Sequence, residues 1–173
     1  MIIKTKREEN LVRGAIDTEW FLENVSAMKK TMYGMAYSLL GNAADCEDAA
    51  QSAIFKAYRA LDRLDDMRSF KPWFLKILKN ECFAILRRRR PTAELAAWTG
   101  SYDCDAVTGI DLRRAFGRLS PVNRATFWLY HVEGYSIAET AKITGAPAGT
   151  VKSRLSRTRA ELRKLLKSEE EQI

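Results

Sequence analysis

Residues 136–166 read SIAETAKITGAPAGTVKSRLSRTRAELRKLL. Ser136 and Glu139 have the spacing of a capping box, which starts a helix. Gly145 ends that helix, and Pro147 opens a second, longer one. At about 100° per residue, Val151, Leu155, Leu162 and Leu166 form one apolar stripe, with Thr158 on the same line. Opposite sit Ser153, Ser156, Arg157 and Ala160, flanked by Lys152, Arg159 and Arg163. A short helix, a glycine turn and a longer basic helix make a helix-turn-helix pattern. Small residues let such a face approach the floor of a major groove, while cations at its edges reach phosphates and base edges. A charged, solvated helix face would carry the same cations but needs no turn and no preceding short helix. The pattern points to DNA without saying which kind of DNA-binding protein carries it.

Helical spacing continues upstream of this stretch. Leu112, Ala115, Phe116 and Leu119 make a short amphipathic helix, and Ser120-Pro121 is a cap followed by proline at the first helical position. Val122, Ala125, Trp128, Leu129 and Val132 continue the apolar face until Gly134 breaks the helix. Near the N-terminus, residues 19–40 place Phe21, Val25, Met28, Met32, Met35, Ala36 and Leu39 at helical spacing, and Gly41-Asn42 stops them. Asp45 opens a second helix with acids in its first turn, where the helix dipole favours them. Its buried stripe is Ala50, Ile54, Ala57 and Leu61, with Asp48, Ser52, Lys56 and Arg59 opposite. Asp62, Asp65 and Asp66 mark a turn. Ser69 caps a third helix with Pro72 in its first turn, running to about Arg90. β alternation is absent, so the expected fold is all-α: two small helical domains joined by a flexible linker, the C-terminal one a helix-turn-helix.

Charge divides the chain in the same way. Residues 1–90 hold 17 basic and 12 acidic side chains, residues 91–109 no basic and three acidic, and residues 110–173 12 basic and seven acidic. Two basic blocks flank an acidic connector without periodicity, and the total of +7 over 173 residues suits a polyanionic partner. Cys46, Cys82 and Cys104 show no CxxC spacing and His131 is the only histidine, so neither a disulfide framework nor a metal site is expected, and no cofactor. The cysteines read as reduced packing residues. No apolar run is long enough to span a bilayer and no signal peptide opens the chain, which makes the cytoplasm the expected location.

The segment EGYSIAETAKITGAPAGTVKSRLSRTRAELRK resembles the C-terminal domain of extracytoplasmic-function (ECF) sigma factors. Glu133, Gly134, Ser136, Ala141, Gly149, Thr150, Val151, Lys152, Ser153, Arg154, Leu155, Arg157 and Arg159 match its characteristic run, and Leu119-Ser120-Pro121 and Arg124 match its start. The resemblance implies that residues 147–160 read a promoter −35 element through Lys152, Ser153, Arg154, Ser156, Arg157 and Arg159. On the helical wheel Arg154 lies off the exposed centre, toward the preceding helix.

A second resemblance covers residues 19–90. Leu39-Leu40-Gly41, Asp45, Glu47-Asp48, Gln51, Phe55, Ala57-Tyr58, Phe70, Trp73-Phe74, Ile77, Asn80 and the closing arginines fall where the sigma domain that binds core polymerase has its pattern. The resemblance implies that Asp45, Asp48, Gln51, Ser52 and Phe55 meet the β′ clamp helices. It also implies that Phe70, Lys71, Trp73, Lys76, Asn80, Arg87 and Arg88 recognise and melt the −10 element. Ser52 departs from the pattern, which has an acid there, and this implies a weaker or shifted clamp contact. The charges suit these roles. Residues 45–66 hold six acids against three basics, whereas residues 68–90 hold eight basics against Glu81, with Phe70, Trp73, Phe74 and Phe83 interleaved. Cations with aromatics fit a melted strand, whose bases stack while its phosphates are held. Core packing would equally account for Trp73 and Phe74.

The implied organisation is an N-terminal extension 1–18, sigma-70 region 2 at 19–90, a linker 91–109 and region 4 at 110–168. The implied partners are core RNA polymerase (β′ clamp helices and β flap), promoter DNA, and an anti-sigma factor, membrane-bound in some members of the family; no small-molecule substrate is implied. A stand-alone helix-turn-helix regulator is the alternative, but it leaves the acidic-then-basic organisation of residues 45–90 without a purpose. A DNA-processing enzyme needs clustered metal-binding acids or an activated nucleophile. Asp62, Asp65 and Asp66 cluster in a turn without a second ligand set.

Overall fold

The computed structural model describes residues 18–64, 66–89 and 115–170. Asp65, Arg90, Leu112, Cys104, the linker 91–109 and all of the extension 1–18 except Thr18 lie outside the described residues. Every described element is helical or a turn. The chain divides into two compact units, residues 1–30 and residues 31–173.

In the first unit, helix α1 (residues 18–27) buries Phe21 and Val25, four apart on one stripe, with Met28 buried at the turn that follows. Asn24 Nδ2 donates back to Trp20 O at 2.8 Å.

The second unit is built around α2 (Lys29–Leu40), which belongs to it from Thr31 and is buried almost all round from Met32 onward, as a helix at the centre of a core must be. Gly41, at φ 73°, ends it in the left-handed region, as the Gly-Asn signal predicts. The next helix, α3, spans Ala43–Arg59. Its cap is Asn42, whose side chain accepts from Asp45 N at 2.9 Å, so the helix opens two residues before Asp45 and places that acid inside the first turn. The buried side chains of α3 are small: Cys46, Ala49, Ala50, Ala53 and Ala57. Such a face lets α3 pack closely on α4 (Phe70–Arg88), which buries Phe70, Phe74, Leu75, Leu78 and Cys82. Ser69 precedes α4 but its side chain makes no capping bond; the local cap is Asp66, which accepts from Arg68 N and holds a short 3₁₀ turn, Met67–Ser69.

Residues 115–118 form a single turn, α5, and Ser120 then caps α6 (Pro121–Phe127), its hydroxyl accepting from Asn123 N with proline at the first position, as expected. The helix does not run straight on to Gly134. Trp128–Val132 widens into a π turn, with Glu133 N bonded back to Trp128 O, which apolar spacing alone could not reveal. Helix α7 (Ile137–Thr144) and helix α8 (Ala148–Glu170) complete the unit. α8 begins one residue after Pro147 and runs three beyond the expected Lys167. α6 and α7 both pack on α8. Ala115, Phe116, Leu119 and Leu162 form a small core with Phe127, Leu165 and Leu166 at its edge.

A candidate nucleic-acid interface

The helix-turn-helix forms as its local signals require. Ser136 Oγ accepts from Glu139 N while Glu139 Oε2 accepts from Ser136 N at 2.8 Å, a complete capping box. The bonds from the Ser136 hydroxyl and backbone hold the Glu139 carboxyl below the usual carboxylate range, with Lys142 adding to them against a small burial penalty. Gly145 adopts φ 69° and its N–H returns to Ala141 O at 2.8 Å, turning the chain into α8 without a β-carbon penalty.

On α8 the apolar stripe forms as far as Leu162, and Leu166, expected to continue it, is half-buried at the edge of the core. Val151, Leu155, Thr158 and Leu162 are buried. Lys152, Ser156, Arg157, Arg159, Ala160 and Arg163 are exposed, and Ser153 and Arg154 are half-buried at the margin. Ser153 Oγ donates to Thr150 O at 3.0 Å and Arg159 Nε to Leu155 O at 3.4 Å, so both side chains lean on their own helix. No hydrogen bond or ion pair to a described residue restrains Lys152, Arg154, Arg157 or Arg163. The result is a cationic face, fixed in direction by a buried stripe and free to form bonds.

The α4 residues separate into two groups. Lys71, Lys76, Asn80, Arg87 and Arg88 are exposed and Trp73 is half-buried. Phe70 is buried beneath Trp73 and Phe74, with ring centroids 6.0 and 5.8 Å away. Phe70 therefore supports Trp73 from below and is not itself open to a base. Lys79 Nζ donates to Thr144 O at 3.0 Å; burial, with Lys76 nearby, pulls its ammonium below the usual lysine range.

On α3, Asp48, Gln51, Ser52 and Phe55 share one exposed face. Phe55 is 61% exposed and Tyr58 48%, with the Arg59 guanidinium 5.6 Å from the Phe55 ring. An exposed phenyl ring between polar side chains is what an interface anchor looks like before its partner arrives. Asp45 points elsewhere. It pairs with Arg89 Nη2 and receives Asn42 Nδ2, while Arg89 Nη1 reaches Leu40 O at 3.1 Å. Partial burial works against its charge, but the bonds from Asn42 and Arg89 outweigh it and hold the carboxyl below the usual range. Asp45 thus ties α3 to the ends of α2 and α4.

Arg124 is the residue whose role the sequence conceals. It is buried, and its guanidinium donates to Ser38 O at 2.6 Å, Leu119 O at 2.7 Å, Gly117 O at 2.9 Å and Leu39 O at 3.3 Å. Burial brings its pKa down to about 10, so it stays charged near neutrality. Only its match to a family pattern marked it. Cys46 and Cys82 are free and buried, and burial pushes both thiols up to about 12, which leaves them protonated packing groups. Among the described residues no group of His, Cys, Asp and Glu is placed to hold a metal ion, and no helix is long and apolar enough to cross a membrane.

Two family models match the chain: Sigma-70 region 2 over residues 25–92 and Sigma-70 region 4 over residues 110–162. The ECF RNA polymerase sigma factor SigW of Bacillus subtilis is 31% identical over 96% of this chain and 98% of its own length. Among solved structures, the chain resembles the sigma factor RpoE of Bartonella quintana, seen in complex with the anti-sigma factor NepR. The TM-score is 0.68 at 29% identity, covering 85% of this chain and 96% of that one. CnrH, solved with the cytosolic domain of CnrY, shares the fold with a TM-score of 0.69 at 24% identity over 91% and 96% of the two chains.

Proposed function

Because this chain belongs to the ECF RNA polymerase sigma factors of the sigma-70 family, we propose a division of labour among its three exposed faces. The α8 face reads the −35 element: Lys152, Arg157 and Arg159 project from it, half-buried Arg154 adds a cation at its margin, and Ser153 and Ser156 permit close approach. The α4 face, with Lys71, Trp73, Lys76, Asn80, Arg87 and Arg88, meets the −10 element as it melts. The α3 face, with Asp48, Gln51, Ser52 and Phe55, docks on the β′ clamp helices of core polymerase. Residues 19–90 and 110–168 act as the two functional domains, and residues 91–109 span between them. The polymerase supplies the catalysis; the chain itself is assigned no reaction and no cofactor.

The observation that carries this reading is the arrangement of α8. Lys152, Arg157 and Arg163 face solvent with no hydrogen bond or ion pair among the described residues, while Val151, Leu155 and Leu162 pin the opposite side. Polymerase and promoter place the protein in the cytoplasm. RpoE of Bartonella quintana is held by an anti-sigma factor, and we assign the same kind of regulator to this chain. Pull-down from purified components tests the reading: the folded protein should retain core polymerase, and Phe55→Ala should lose it. A stand-alone regulator would instead bind duplex promoter DNA tightly with no polymerase present.

A further inference from the structure

Histidine occurs once in this chain, at position 131, outside the residues assigned to the three faces. It lies in the π turn Trp128–Val132 and is exposed. Its ring is nonetheless fixed in direction. Phe127 lies against it with ring centroids 4.4 Å apart, and Tyr130 meets it edge-on at 4.9 Å. Phe127 in turn stands edge-on to buried Phe116 at 5.8 Å, so the stack is rooted in the small core of Ala115, Phe116, Leu119 and Leu162. Neither ring nitrogen of His131 bonds to a described residue. An imidazole that is held in place, open to solvent and unbonded is preorganised for a group outside the chain.

Its surroundings say what that group is. Partial burial, and then the Arg159 guanidinium on α8, pull the imidazole below the usual histidine range, so at neutral pH it is uncharged in the free chain. Among the described residues no carboxylate draws it the other way. Glu133, two residues on, accepts from Thr31 Oγ1 at 2.6 Å, and Glu139 on α7 is held by Ser136. Tyr135, pushed up to about 12 by burial, stays neutral, and Arg124 on α6 is buried against carbonyl oxygens. Arg159 uses Nε on Leu155 O at 3.4 Å, and its other nitrogens bond to no described residue. Arg163 follows one turn along α8, exposed and unbonded. A fixed imidazole beside an unanswered guanidinium, with no acid to neutralise them, suits an anion whose oxygens accept from both.

Arg159 belongs to the α8 face assigned to the −35 element, and His131 stands beside it on a different segment, at the edge of that face. The edge of a recognition helix meets the DNA backbone, while its centre meets the bases. We propose that His131 and Arg159 form a two-pronged grip on one backbone phosphate beside the −35 element, and that promoter binding takes up a proton at His131. The grip rests on the assignment of α8 to DNA and adds a contact that carries no sequence information. The sign follows from the charges. Phosphate favours the imidazolium, so the complex holds a proton that the free chain lacks. Affinity therefore rises as pH falls, and levels off once the free chain is charged as well. Histidine is the side chain that ordinarily titrates between about pH 5 and 8, and this chain has one.

Fluorescence anisotropy tests it, with core polymerase carrying wild type, His131→Gln or His131→Arg and a labelled duplex from upstream of the chain's own gene, at about pH 8 and about pH 5.5. The advantage of wild type over His131→Gln should widen several-fold from the higher pH to the lower, and high salt should narrow it. His131→Arg is charged at both pH values, so it should bind more tightly than wild type at the higher one and lose the widening. Circular dichroism checks that each form is folded; should His131→Gln unfold, wild type against His131→Arg decides in the same way. A ratio between the forms that is the same at both pH values makes His131 a packing residue and overturns the grip. Run-off transcription on the same fragment separates the two claims. Transcripts with a constant ratio leave the sigma reading standing and remove the grip. A pH-dependent gap with no transcripts keeps the phosphate contact and removes the sigma reading. No binding by any form removes both.

Discussion

Arg157→Ala isolates base reading from generic charge. Arg157 lies nine residues into α8, about 13 Å along its axis, and Arg163 lies six residues, about 9 Å, beyond it. Both are exposed and neither bonds to a described residue, so neither removal should destabilise the fold. In helix-turn-helix docking the N-terminal part of the recognition helix reaches the bases. A good side-chain contact to a base edge is worth about 1–3 kcal/mol, a factor of about 5 to about 150 in promoter use. Arg157→Ala should therefore weaken transcription by that factor and blur discrimination at one or two −35 base pairs. Arg163→Ala should weaken all sequences about equally and flatten the salt dependence by about one phosphate contact. The assay is transcription from a panel of single-base −35 variants at two salt concentrations, with thermal melts as a control. Uniform scaling by Arg157→Ala, together with altered base preference in Arg163→Ala, would refute the assigned reading face.

Ser136→Ala removes the capping box and should cost about 1 kcal/mol by urea titration. Because the folded Glu139 carboxyl is held below its unfolded value, its contribution is present above about pH 4.5 and is lost as pH falls through the folded value; Ser136→Ala should weaken that acid dependence, and an unchanged profile would contradict the cap's role. Thr158 Oγ1 is buried without a hydrogen-bond partner among the described residues, so Thr158→Val should hold or raise stability by about 1 kcal/mol, and a clear loss in denaturant melts would show that the hydroxyl is satisfied. Phe55→Ala removes an exposed ring, so it should leave the melting temperature nearly unchanged while weakening core polymerase binding by about 2 kcal/mol or more, read by competition against the wild type.

What the sequence made legible was local. The Ser136–Glu139 box, the Ser120-Pro121 cap and the Val151–Leu155–Leu162 stripe depend on residues a few positions apart, and each forms as its spacing dictates. What stayed hidden depends on distant partners. Arg124 is one cation among 29 basic residues, and nothing in its neighbourhood announces that it caps a helix 85 residues upstream. Asp45 looks like one more acid on an acidic helix until Arg89 and Asn42 claim it. Phe70 belongs to an aromatic cluster whose composition suits a melted strand, yet packing puts Phe70 underneath and leaves Trp73 half open. The π turn at Trp128–Val132 keeps apolar residues at ordinary spacing and so leaves no trace in it.

The central claim is that this chain gives core polymerase its choice of promoter. Run-off transcription tests it most directly, with purified bacterial core polymerase and a DNA fragment from upstream of the chain's own gene. The account predicts a transcript of discrete length when the protein is added and none when it is omitted. The same products with and without the folded protein would contradict it.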